Sequence, residues 1–351
     1  MTNKDFCLSS YIAYRYIYKD GMDFYPGLKH HNYHPLDLSL RIPVKTASEI
    51  YAQIQAQFDE LYKKYDNIGI LLSGGMDSAI LAGFLKPGSH AYTFTTAHST
   101  VFNQDVERAK SYCKKFGLNH HLIEISFDDY KTFTPIVMKA KCAPVHSIEP
   151  QIYKAAINAK NDGVNLIIVG ESADLIFGGM DQLLAKDWGF DEFVERYTFL
   201  SPEKILAKPD NSVFDLYEKY RKEDKIDLLP FMDEVFSIES SSSYLNAFGV
   251  AGIDYYDPYA KLIMSDPLDM NRVRNGEPKY LVRETYSIVY PEFEVPNKIP
   301  MPRPVDAIFK DWSGPTRKEF RNDIDMDSLT GNQKWQLWCA QLFLNIFEPQ
   351  D

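Results

Sequence analysis

Apolar positions along the chain fall into two alternating periods. Residues 46–65, "TASEIYAQIQAQFDELYKKY", space Ile50, Ile54, Phe58 and Leu61 three or four apart, which predicts one buried helical face with Thr46 or Ser48 as N-cap. "NIGILL" follows as a short apolar run of the kind buried in a parallel sheet, and "SAILAGFL" reads as helix until Lys86-Pro87-Gly88. "AYTFTTA" (91–97) is strand-like, and "NQDVERAKSYCKKFG" is an amphipathic helix with Val106, Ala109, Cys113 and Phe116 inward and Gly117 at its end. "HHLIEIS" (120–126), a helix near Glu149–Asn161 and "VNLIIVG" (164–170) continue the series. Strands alternating with helices predict a parallel sheet covered on both faces, with ligands at the carboxyl ends of the strands.

The flanks read differently. "SSYIAYRYIYKDG" alternates like strand with a turn at Asp20-Gly21, so residues 1–45 are expected to form a β-hairpin-like extension. The remainder, 46–351, divides into an α/β core (46–185) and a helical part (186–351) of helices and polar loops without clear strands. The serine run in "IESSSSYLNA" (238–247) reads either as a flexible linker or as a capped helix start. Five prolines within residues 290–306, "YPEFEVPNKIPMPRPVD", exclude helix interior and central strand and predict a long stiffened loop.

Composition narrows the partners. A chain of 351 residues can bury one large core or two joined ones. Its net charge of −11 argues against a nucleic-acid partner, which needs a basic surface. Cys7, Cys113, Cys142 and Cys339 form no C-x-x-C pair and suit reduced thiols. "MTNKDFCLSSYIAYRYIYKD" lacks the apolar stretch of a signal peptide, and no other run is long enough to cross a bilayer, so the expected place is cytoplasmic, away from membranes.

The chemistry concentrates at Ser73-Gly74-Gly75-Met76-Asp77-Ser78, set between predicted strand and helix. Freed backbone amides there attract an anion. The segment is neither G-x-x-x-x-G-K-[ST] nor G-x-G-x-x-G. It resembles the PP-loop of the ATP pyrophosphatase superfamily, which splits ATP between the α and β phosphates; the bland alternative is a tight strand-to-helix turn. "IIVGESADLIFGGMDQ" (167–182) resembles the Gly-Glu-x-x-Asp-x-x-Phe-Gly-Gly segment of asparagine synthetases and β-lactam synthetases. Without that likeness, Glu171 and Asp174 read equally well as first-turn helix caps. Weaker similarity extends over "DVERAKSYCKKFGLNHHLIEIS", "YDPYAKLIMSDP", "KYLVRETY" and "PNKIPMPRP", and the N-terminal segment is similar to the last hairpin of the family's glutaminase domain.

The resemblance implies a three-layer α/β/α fold with a parallel sheet, of the adenine nucleotide alpha hydrolase-like PP-loop type, followed by a mostly helical C-terminal part. It implies a ligase that adenylates a small carboxylic acid, releases pyrophosphate and passes the acyl group to ammonia or an amine. ATP and Mg²⁺ are the implied cofactors. Ser73, Gly74, Gly75 and Ser78 would hold pyrophosphate, Asp77 and Asp174 would bind Mg²⁺, and Lys279 would meet the phosphates. Leu72, Thr95 and Gly170 would lie along the adenosine. Lys298 is the candidate cation for the oxyanion, with Arg303 its rival in the same loop, and Glu171 would act as general base or orient Lys298. His98 would touch nucleotide or stand in a surface loop.

Two departures carry expectations of their own. Position 2 is Thr2, where the family's glutaminase has its catalytic Cys, and fewer than fifty residues precede the synthetase part. The chain is therefore expected to lack its own glutaminase and to take free ammonia, ammonia from a separate subunit, or an amine; a homo-oligomer is compatible with this. "GIDYYDP" stands where the family carries Arg-x-Pro-Phe-Leu-Asp, which leaves the identity of the acid open. Competing readings are a PP-loop enzyme modifying a tRNA or nucleobase, and an inactive nucleotide-binding scaffold.

Overall fold

The computed structural model describes residues 1–96, 101–296 and 304–349, apart from the side chains of 101–103. Its centre is a five-stranded parallel sheet of β2 (Ile68–Leu71), β3 (His90–Thr95), β4 (Asn119–Glu124), β5 (Leu166–Ile168) and an edge strand Asp254–Tyr256. In space the order is β4, β3, β2, β5, edge strand. The chain runs outward from β2 through β3 to β4, then returns to place β5 on the opposite side of β2. This reversal opens a crevice between the carboxyl ends of β2 and β5, the usual ligand position in such sheets.

Side-chain alternation assigns the two faces. Ile68, Ile70, Leu72, Ala91, Leu166 and Ile168 share one core with Ile50, Ile54 and Phe58 of α2 (Ala47–Leu61), with α3 (Met76–Ala82), and with Ala109 and Cys113 of α4 (Val101–Phe116). The helix Tyr280–Val289 closes that side through Leu281, Val282 and Tyr286. Leu71, Tyr92, Ile123, Ile167 and Val169 enter the other core. There they meet α5 (Phe127–Lys141), α6 (Glu149–Asn161) and the helix Ser237–Ala251. Successive strand residues thus belong to opposite cores, as the two-residue repeat requires. The fold is the expected three-layer α/β/α.

Local signals place several elements as read from the sequence. Thr46 caps α2 by accepting from the Glu49 amide at 3.2 Å, a contact worth about 1 kcal/mol. The helix over Glu149–Asn161 falls where its periodicity put it, and Gly117 ends α4 with φ of 66°. Phe116, expected inward, is only half-buried. The sequence reading leaves α5 unassigned; it starts on a Ser126–Asp129 capping box and tolerates Pro135 within it.

The flanks correct the reading. Residues 4–14 form helix α1 (Lys4–Tyr14), capped by Asn3 and closed by Arg15 at φ of 67°, in place of the expected hairpin. The helix is enclosed from Phe6 to Tyr14, and Tyr11 and Tyr14 spend their hydroxyls on the carbonyls of Val145 and Val213, both at 2.8 Å. A helix buried all round has no polar face, so its period does not show. Past residue 185 four short strands appear among the described residues, 221–222, 225–226, 254–256 and 262–264, where none was expected. Strand 262–264 pairs in parallel with β1 (Ile42–Val44). The serine run is neither linker nor helix start but lies inside the helix Ser237–Ala251, with Ser241, Ser242 and Ser243 buried. Ser242 accepts from the Tyr33 amide at 2.8 Å.

Phe58, fully buried between α2 and the sheet, tests the first core. Phe58→Ala is expected to lower unfolding free energy by about 3–5 kcal/mol, read from the urea midpoint; a loss below about 1 kcal/mol would contradict this packing.

Candidate active site

The loop after β2 is shaped by a close backbone approach. Gly74 has φ of +79°, and a Cβ there would lie 2.5 Å from the Asp105 carbonyl oxygen and 2.7 Å from its Cα. Only glycine fits, on conformation and on space alike. Ser78 Oγ accepts from the Ser73 amide at 3.1 Å and lies 3.0 Å from Ser73 Oγ, which in turn accepts from the Gly75 amide at 3.2 Å. The two serine hydroxyls therefore take up the Ser73 and Gly75 amides and tie the loop to the first turn of α3. Gly170, at the end of β5, packs against this turn: a Cβ there would stand 3.4 Å from the Ser78 nitrogen.

Across the crevice, Asp77 and Asp174 converge on one buried ammonium. Lys279 Nζ lies 2.6 Å from Asp77 Oδ2 and 2.7 Å from Asp174 Oδ1, with 3% of its side chain exposed. Burial pulls the Lys279 pKa down, but the two carboxylates overcome that and hold it above its ordinary value, so the ammonium stays charged. Gly179 makes room for the pair, since a Cβ there would fall 2.0 Å from Asp174 Oδ1 and 2.7 Å from Lys279 Cδ. Lys279 itself has φ of 54°, a left-handed backbone that costs about 1–2 kcal/mol for such a residue. Tyr259 donates to the Asp77 carbonyl at 3.1 Å and fixes that end of α3.

Three further acids surround this centre. Glu171 follows Gly170 and accepts from Tyr244 Oη at 3.1 Å and from Ser240 Oγ. Enclosure pushes its pKa from 4.5 to about 7, assisted by the charges of Asp174 and Asp257 and opposed by both hydroxyls. Asp257, beyond the edge strand, rises to about 6 by burial while accepting from the amides of Ser172 at 2.8 Å and Tyr259 at 3.0 Å. Asp105 also rises to about 6 by burial, with Arg108 at 3.8 Å pulling it back.

Leu72, Ser73, Gly75, Asp77, Ser78, Gly170, Glu171, Asp174 and Lys279 line a single cleft of about 370 Å³. Gly74 lies beneath it, against Asp105. Thr95 does not line it: β2 ends opposite Tyr92, so the cleft opens beside Thr93 and Phe94, and Thr95 faces β4 and accepts from the Ile125 amide at 2.9 Å. Lys298, Arg303 and His98 lie outside the described residues. Asp105, Tyr244 and Arg283 in the cleft wall, and Asp257 beside it, were missed by the sequence reading. The one available signal was "YDP" at 256–258, an acid directly after an aromatic run.

The sequence model of the family described as Asparagine synthase matches residues 51–232, more than half of the chain, and the chain belongs to that family. The glutamine-hydrolysing asparagine synthetase 2 of Bacillus subtilis is 24% identical over 200 residues, which are 54% of this chain and 25% of that protein. The chain thus spans about a quarter of the length of the curated relative it matches. Among solved structures, the NMN synthetase of Francisella tularensis is 17% identical with a TM-score of 0.28, covering 39% of this chain and 59% of that one. The NH3-dependent NAD synthetase of Campylobacter jejuni is 20% identical with a TM-score of 0.27, covering 38% and 60%. No helix among the described residues is long and apolar enough to cross a membrane.

Glu171 yields a test that needs no substrate. Its folded pKa of about 7 exceeds the unfolded value, so the native state holds a proton that the unfolded chain releases. The stability this proton lends is complete below about pH 4 and fades as pH rises to 7. Glu171→Gln, whose one carbonyl and one amide group copy the protonated acid between Tyr244 and Ser240, should gain thermal stability relative to wild type across that window and hold a constant gap above it. A gap that does not change from pH 4.5 to 8 would contradict the enclosure of this carboxyl.

Proposed function

We propose that this chain is an ATP-dependent ligase that adenylates a carboxylic acid, releases pyrophosphate, and transfers the acyl group to ammonia or an amine. A carboxylate is a poor acyl donor because oxide would have to leave. Transfer of AMP supplies a good leaving group, provided one site aligns the nucleotide and offsets its charge.

The observation that carries this reading is the meeting of two turns at one crevice, with the carboxylates of Asp77 and Asp174 2.6 and 2.7 Å from one ammonium. The donor set fits Mg²⁺, since two hard carboxylate oxygens from separate turns already aim at one positive centre. Bound there, Mg²⁺ would neutralise charge on the phosphates. Ser73, Gly74, Gly75 and Ser78 are assigned to the pyrophosphate and Lys279 to the phosphates, while Leu72 and Gly170 flank the adenosine. Glu171, near neutrality in its protonation, suits the removal of a proton from the attacking amine. Lys298 or Arg303 is assigned to the oxyanion. The amine comes free, from a separate subunit, or from the substrate side, and the place of action is cytoplasmic.

Purified protein with ATP, Mg²⁺ and labelled pyrophosphate, challenged with a library of carboxylic acids, is expected to show acid-dependent exchange of label into ATP. Formation of ADP instead would overturn the proposal. Asp77→Asn should reduce exchange by at least about 10²-fold with the circular dichroism spectrum unchanged; full activity would remove Asp77 from the site.

A further inference from the structure

Away from the cleft, three potential ligands gather where the sheet meets the far end of α6. His90 is the first residue of β3, His121 the third of β4, and Asp162 directly follows α6. None of the three lines the cleft. His90 Nδ1 and His121 Nε2 lie 2.8 Å apart, with ring centres 5.0 Å apart and planes within 21°, so the imidazoles share a nitrogen-to-nitrogen hydrogen bond that an ion between them would replace. Asp162 Oδ2 stands 3.9 Å from His90 Nδ1 and 3.7 Å from His121 Nδ1. One donor atom from each residue falls within 4.8 Å of the other two.

We propose that His90, His121 and Asp162 form a binding site for a divalent transition metal of the zinc type. Zinc bonds of about 2.0–2.2 Å at tetrahedral angles hold neighbouring donor atoms about 3.3–3.5 Å apart. With one donor atom taken from each residue, every separation falls within 4.8 Å, so side-chain shifts of about 1 Å bring the donors to that spacing. Each ligand is partly exposed, 20% for His90 and 33% for His121 and Asp162, which allows both the shift and entry of the ion. Two neutral imidazoles with one carboxylate suit Zn²⁺ and disfavour Mg²⁺ and Ca²⁺, which take oxygen.

A second shell is already present. Tyr92 Oη donates to Asp162 Oδ2 at 2.8 Å and aims the carboxylate at the histidines, the arrangement that tunes many metal ligands. The Asp162 amide donates to the Asn158 carbonyl at 3.0 Å, which fixes its backbone to the end of α6. All three ligands stand on or directly beside regular elements. An ion there would tie β3, β4 and α6 together, independently of what the cleft does.

The test titrates the chelator-treated whole chain with Zn²⁺ against a chromophoric chelator, in excess Mg²⁺. One tight equivalent is expected that Mg²⁺ does not displace. His90→Ala and His121→Ala should each weaken it at least tenfold, while His34→Gln, at an exposed histidine, leaves it unchanged. Because a variant can misfold, wild type loaded with Co²⁺ gives an independent readout: paramagnetically shifted proton signals from two histidine rings. Absence of a tight equivalent, its survival in both alanine variants, or a cobalt spectrum without histidine signals would each overturn the site.

Discussion

A lysine ammonium buried between two carboxylates is the constraint around which this molecule is arranged. Removing a charge from water costs several kcal/mol unless partners replace the lost hydration. Lys279 finds its partners only because separate parts of the chain deliver Asp77 and Asp174 to one point. That delivery explains otherwise odd local choices. Gly179 leaves the room that any side chain would fill, and Lys279 accepts a left-handed backbone to enter from the N-cap of the helix Tyr280–Val289. The crossover of β5 to the far side of β2 places both acid-bearing turns on one crevice. Losing one partner would leave an uncompensated charge, a larger penalty than losing the whole cluster.

The same crevice gathers acids at unusual protonation. Glu171 at about 7, with Asp257 and Asp105 at about 6, titrates well above ordinary carboxylates, each chiefly because it is shielded from water. At about 7, Glu171 carries only part of its negative charge near neutrality, while Asp257 and Asp105, at about 6, are mostly ionised there. Hydroxyls and amides oppose the shift, and this keeps the carboxyls within reach of physiological pH rather than permanently protonated.

Legibility in the sequence followed burial geometry. Elements with one wet face announced themselves: α2 through Ile50, Ile54 and Phe58, and α4 through Val106, Ala109 and Cys113. The central strands were readable as short apolar runs, and the loop at Ser73–Ser78 through its paired glycines, of which Gly74 is required by the close approach of Asp105. Periodicity failed where the surroundings are uniform. α1 is enclosed from Phe6 to Tyr14, so its Tyr11, Ile12 and Tyr14 mimicked a strand. The edge strand has three residues and opens on an exposed aspartate, too little for an alternation to register. The serine-rich helix hides because its hydroxyls, half-buried at Ser240 and buried at Ser242, serve partners distant in the chain, Glu171 and the Tyr33 amide. Asp257 was lost with that strand, since its importance comes from where the strand ends.

The first and last helices share one core. Phe24 and Tyr25 pack on Phe343, Lys4 pairs with Glu348 at 2.9 Å, and Gln336 in the helix Gly331–Phe347 donates to the Tyr11 carbonyl. During synthesis, then, the segment bearing Phe24 and Tyr25 emerges from the ribosome without the Phe343 ring that will cover them. It must wait through some three hundred further residues of translation, and chaperones have that interval in which to shield it.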